Sequence, residues 1–152
     1  MTATPQPQLS VLYEADETAW LDEMAEIIRS GRTDELDYEH LAEFLTDMAN
    51  RDRREVTSRL RVLLAHLLKW VYQPGKRSGS WHVTILTQQT ELLDDVQSGV
   101  LRNHALEVLA LAFAKAVTFA AAETGLNETS FPRECPWALD EIVSPDFIDR
   151  IS

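Results

Sequence analysis

The stretch Val56-Thr57-Ser58-Arg59-Leu60-Arg61-Val62-Leu63-Leu64-Ala65-His66-Leu67-Leu68-Lys69-Trp70-Val71-Tyr72-Gln73-Pro74-Gly75 decides the fold. Val56, Leu60, Leu63, Leu64, Leu67, Leu68 and Val71 recur at steps of three and four, which lines one face of a 3.6-residue helix. Pro74 cannot continue the hydrogen-bond ladder and Gly75 favours the turn, so the helix ends there. Upstream, Ala49-Asn50-Arg51-Asp52-Arg53-Arg54 carries no apolar side chain after Ala49, which predicts a kink or short break. The stripe Leu41, Phe44, Leu45, Met48 behind Asp37 is nearly in phase with it, so one long helix over 38–72 is the alternative. Further upstream, Asp16 is an N-cap whose carboxylate accepts free amides of the next turn. Trp20, Met24, Ile27 and Ile28 follow at helical spacing and Gly31 supplies the stop, which predicts a helix over 17–30.

Downstream, Ser80 is expected to cap a helix with Trp81, Ile85, Leu92, Leu93 and Val96 on its buried side. After the corner at Ser98-Gly99, an Ala- and Leu-rich helix runs to Thr124 and stops at Gly125. It is apolar around much of its circumference, so it is expected to be the central, most buried element. The remainder is punctuated by prolines, with anchors at Phe131, Trp137, Leu139, Ile142, Val143, Phe147 and Ile148 and one short helix expected over 136–143. Phe131 and Trp137 are expected to dock near Trp70 and Trp81, so that Trp137→Ala lowers the unfolding midpoint sharply. No alternating segment reads as a strand. The fold class is all-α: an antiparallel bundle of four to five helices with a short Pro-rich C-terminal helical tail.

At 152 residues, the chain suits one domain, 1–152, with 1–12 a loosely ordered tail; a fold this size hides roughly 70% of its unfolded surface. With 45% hydrophobic residues it is too apolar for a disordered chain. One cysteine, Cys135, excludes an internal disulfide framework and a Cys-rich zinc site. The start has neither a basic n-region nor an apolar h-region, so no signal peptide is expected. Glu107 and Lys115 interrupt the most apolar stretch, so no membrane span is expected and the protein reads as cytoplasmic.

The net charge is −11, which argues against nucleic acid as a favoured partner. Its distribution is uneven. Residues 1–50 hold two basic and twelve acidic residues, whereas 51–77 hold eight basic and two acidic. Either the acidic third packs against the basic middle, within one chain or across a dimer, or the basic middle is a surface for a phosphate-bearing ligand.

Ser58-Arg59-Leu60, Leu63-Leu64-Ala65-His66-Leu67-Leu68-Lys69-Trp70, Gln73-Pro74, Arg77, Ser80-Trp81 and Thr84-Ile85 together resemble the core motif of the bacterial domain-of-unknown-function family 29. Asp16 with Trp20, Leu36-Asp37 with Leu41 and Glu43, Glu123-Thr124-Gly125, Phe131-Pro132 and Cys135-Pro136-Trp137 fall into place around it. The family's second acid after Glu43 is replaced here by Phe44, and its basic residue near Gln89 is missing. The resemblance implies a small helical bacterial protein and brings no activity with it.

His66 lies within an apolar face, where an imidazole needs partners for its ring nitrogens. It is either a core histidine bonded to a carboxylate such as Glu43 or to a backbone carbonyl, or a catalytic one. Arg59 precedes it by two helical turns, and this Arg–His spacing is similar to the motif of HEPN-type ribonucleases. There a histidine handles a proton and an arginine steadies phosphate charge; Arg61 gives a second, less aligned pair. Lys69, Trp70, Arg77 and Trp81 bracket the turn at Gln73-Pro74, where cations and aromatics can hold phosphates and stack bases or simply pack the corner. His40 and Glu43, with Glu39, share a helix face that could support a metal, although the paired Glu-x-x-His order of a carboxylate-bridged site is absent. Cys135, beside Glu134, is not a nucleophile. No metal or other cofactor is expected. The function that follows is a non-enzymatic interaction or self-associating module, with a protein partner or second copy. A helical ribonuclease-like or RNA-binding module using Arg59 and His66 and a metal-binding bundle are the alternatives.

Overall fold

A computed structural model describes residues 7–152 and is all-α, with no strand among the described residues. The helices are α1 (Pro7–Ala15), α2 (Glu17–Arg29), α3 (Tyr38–Tyr72), α4 (Gly79–Asp95), α5 (Gly99–Thr124), α6 (Leu139–Ile142) and α7 (Phe147–Ile151). Helix α1 occupies part of the stretch expected to be a loose tail; residues 1–6 of that stretch lie outside the described residues. Asp16 caps α2 as read from the sequence, accepting the Ala19 amide at 3.1 Å. Gly31 and Gly125, both at φ +74°, take the left-handed conformation that ends α2 and α5. Ser78 rather than Ser80 caps α4, accepting the Trp81 amide at 3.2 Å, so the helix starts a residue before the expected cap.

No break occurs at Ala49–Arg54. Helix α3 runs through without interruption for 35 residues. Arg, Asp and Glu are tolerated in a solvated helix, and this stretch is mostly exposed.

The chain folds into two compact units, one reaching to Arg51 and the other spanning Asp52–Ser152. The first has its own core of Leu9, Trp20, Met24, Ile27 and Leu36, flanked by Leu12, Tyr13, Leu21, Leu41 and Phe44. The second is built on Leu60, Leu63, Leu64, Leu67 and Leu68 of α3, with Ile85 and Leu92 of α4 and Ala112, Phe113, Ala116 and Ala120 of α5. The tail closes this core through Phe131, Leu139, Ile142, Phe147 and Ile148. Phe131 packs edge-on against Tyr72 at 5.2 Å, whereas Trp137, which precedes α6 instead of opening it, packs edge-on against Phe147 at 5.7 Å. The tail reaches Trp70 by another residue, Ser152, whose Oγ accepts from the indole Nε1 at 3.1 Å. Buried Gln89 of α4 clasps the tail, its Nε2 donating to the Ile142 and Ser144 carbonyls at 2.9 Å each.

Helix α5 is not the most buried element. Its inner side carries the small residues Ala105, Ala112, Ala116 and Ala120 in the core, while Val100, Leu111 and Phe119 are 57%, 60% and 52% exposed. Its most apolar 18-residue window has a mean hydropathy of 1.8, enough by length and composition to cross a bilayer.

Candidate functional site

In the first unit, Asp37 follows directly on the α2–α3 connection and is buried at 1% exposure. A buried carboxylate needs donors. Trp20 Nε1 supplies one at 3.2 Å and His40 Nδ1 another at 2.8 Å, both to Oδ2, while the His40 amide lies 3.4 Å from Oδ1. The imidazole stacks on Tyr13 at 4.3 Å, and Tyr13 meets the Trp20 ring edge-on at 4.8 Å. His40 is therefore occupied in holding Asp37. Among the described residues no group of three or more His, Cys, Asp or Glu side chains is gathered to hold a metal.

The hydrogen bond to Asp37 raises the His40 pKa above its ordinary value; Glu43 and Glu39 push the same way, and partial burial opposes them. A histidine with a raised folded-state pKa contributes stability that is complete below its unfolded value of about 6.5 and fades as pH rises through the folded value. Melts of wild type and His40→Gln should therefore differ most at mildly acidic pH and converge as pH rises above neutrality. A stability difference that grew with pH would contradict this.

In the second unit, a cleft of about 210 Å³ opens between α3 and α5, lined by Ser58, Arg61, Val62, Ala65, His66, Phe119 and Glu123. His66 Nδ1 donates to the Val62 carbonyl at 2.8 Å, one of the alternatives left open by the sequence. Half-burial lowers its pKa, and Lys69 adds to that, while the Val62 bond and Glu123 work against it. Arg59 lines a separate depression with Glu55, Ser58, Val62 and Gln88. Its guanidinium lies 3.4 Å from Gln88 Oε1 and 3.9 Å from both Glu91 and Asp95 of α4. It is Arg61, not Arg59, that shares the cleft with His66. Burial raises the Asp95 carboxyl's pKa, with Arg59 opposing.

Lys69, Trp70, Arg77 and Trp81 form two pairs at the α3–α4 corner. Lys69 Nζ lies 5.0 Å from the Trp81 ring centre and 2.5 Å from Glu123 Oε2. The Arg77 guanidinium lies 4.9 Å from the Trp70 ring, with its Nε donating to the Trp70 carbonyl at 2.8 Å. His82 sits 5.9 Å from that ring. Each of these two cations faces an aromatic ring at the corner. His104 Nε2 pairs with Thr57 Oγ1 at 2.9 Å across α5 and α3. Burial pushes the Cys135 thiol up, and its Sγ donates to the Trp137 carbonyl at 3.3 Å. A thiolate is disfavoured there.

Two features escaped the sequence reading. One is Phe119 and Glu123, which share a cleft wall with Arg61 and His66 at a separation of about 60 residues; only the α3–α5 pairing brings them together. The other is the exposed outer face of α5, where Val100, Glu107, Leu111, Ala114, Thr118 and Ala122 recur at helical spacing.

No curated protein and no solved structure matches the chain. A family model does match, that of the domain of unknown function DUF29, over residues 12–148. That span takes in the Asp37–His40 cluster, the cleft, the α3–α4 corner and all of α5, and the chain belongs to this family of helical domains.

Proposed function

We propose that the protein is a helical interaction module that pairs with a second copy of itself through the outer face of α5. The observation that carries this reading is the exposure of apolar side chains on that face. Leu111, 60% exposed, sits at its middle with Ala110 and Ala114 beside it. Apolar surface left in contiguous form on a folded unit is the mark of an interaction site, and small residues let two helices approach closely. A second copy is favoured over an unrelated partner by charge. Glu107 and Lys115 are exposed, lie four residues either side of Leu111, and have no ion-pair partner among the described residues. An antiparallel copy centred on Leu111 sets the glutamate of each helix level with the lysine of the other, as a two-fold, self-complementary interface requires.

Leu111→Glu tests the reading. Wild type should run as a dimer in light scattering after size exclusion, and the variant as a monomer with unchanged helical content. A wild-type monomer across the accessible concentration range would remove the proposal. Because Leu111 is exposed, the substitution leaves the core untouched.

A further inference from the structure

The cleft between α3 and α5 gathers Arg61, His66, Phe119 and Glu123. Arg61 has no ion-pair or hydrogen-bond partner among the described residues, and a guanidinium fork matches a phosphate in shape and charge. His66 is fixed in one tautomer, because Nδ1 must carry the proton that it donates to Val62. Nε2 is left as an acceptor, which a ligand hydroxyl or amine can use. Glu123, across the cleft, is held at 2.5 Å by Lys69, so its charge is matched before any anion arrives. Phe119 offers a half-exposed flat ring at the rim, the surface on which a base stacks. A bare phosphate would use Arg61 alone. A phosphate with a neighbouring hydroxyl and a flat ring uses all three groups.

We propose that this cleft binds a ribonucleotide, with its phosphate on Arg61, the adjacent ribose hydroxyl donating to His66 Nε2, and the base against Phe119. At about 210 Å³ the cleft is smaller than the roughly 300–1,000 Å³ that encloses a whole drug-sized ligand. It grips one nucleotide at an open mouth, either free or within an RNA strand. The chain's acidity does not oppose this. Residues 1–51 hold three basic and twelve acidic residues, whereas 52–152 are nearly balanced, with eleven and thirteen. Arg61 and His66 lie on α3, outside the face proposed for the α5 pairing, and Phe119 lies on α5.

The test is a calorimetric titration of the full chain with adenosine 3′-monophosphate, its 2′-deoxy analogue and inorganic phosphate. One hydrogen bond from the 2′-hydroxyl should make the ribose form bind about five- to tenfold tighter than the deoxy form. His66→Leu should abolish that ratio, and Arg61→Gln should weaken all three ligands. The wild-type His66 Nε2 resonance should shift only with the ribose form, a readout that needs no variant to fold. Equal binding of the two nucleotides, or no saturation with the resonance unmoved, overturns the proposal, as does unchanged affinity in Arg61→Gln. Within a positive result, tighter binding of oligoadenylate RNA than of the mononucleotide assigns the site to RNA, and equal binding assigns it to the free nucleotide.

Discussion

Trp20→Ala should destabilise the first unit by about 3–5 kcal/mol, the usual cost of truncating a buried Trp. Trp20 is fully buried and forms the centre of a small cluster with Leu9, Met24, Ile27 and Leu36. Its loss does more than open a cavity. The indole Nε1 is one of two side-chain donors to buried Asp37, so truncation also strips a hydrogen bond from a carboxylate with little access to water. Trp20→Phe separates the two effects, because it keeps most of the ring volume and removes only the donor. Hydrogen exchange should show amides of α2 losing protection in Trp20→Ala and a smaller loss in Trp20→Phe. Equal protection in wild type and Trp20→Ala would mean that this cluster does not hold the unit.

Phe131→Ala should cost the second unit about 3–5 kcal/mol as well. Phe131 is 5% exposed and meets the Tyr72 ring at the end of α3, so it ties the start of the tail to the helix that organises the core. An isolated segment as short as α6 or α7 does not hold a helix in water, and the tail depends on such anchors and on Gln89. Trp137→Ala should cost less than Phe131→Ala. Trp137 is only half-buried, and its pairing with Phe147, of a kind worth about 0.5–1.5 kcal/mol, lies within the tail. Denaturant melts of the two variants check the order. A larger loss for Trp137→Ala would place the main anchor of the tail elsewhere.

The parts of the fold that were legible in the sequence are those fixed by local chemistry. Asp16 as a cap, Gly31 and Gly125 as stops and the Pro74-Gly75 ending act within one turn of themselves, and the apolar stripe of α3 needs only its own periodicity. The errors arise where a neighbour decides. The polar run at Ala49–Arg54 reads as a break because it lacks apolar side chains, yet Arg, Glu and Asp remain helical in solvent. The composition of α5 suggests a helix surrounded on all sides. Nothing in the sequence indicates that Leu111 and Phe119 are left out of the core that Ala112, Phe113 and Ala116 enter. The candidate site shows the same limit. A seven-residue step does put Arg59 and His66 on one side of α3, but a long arginine side chain goes where its partners are. Gln88, Glu91 and Asp95 draw Arg59 toward α4, and Arg61 is left beside the histidine. The backbone bond of His66 to Val62, by contrast, is local to one helical turn, and a backbone carbonyl was one of the partners the sequence left open.

Self-association through α5 is tested most directly by reversing the charges that are argued to set its direction. Sedimentation equilibrium on wild type, Glu107→Lys, Lys115→Glu and the double variant, from micromolar to hundred-micromolar protein, forms a double-mutant cycle. Each single reversal sets like charges level with each other across the antiparallel pair and should weaken the dimer, and the double reversal should restore it. A dimer that neither single change weakens, or a double variant no tighter than the singles, would contradict the pairing proposed for this face.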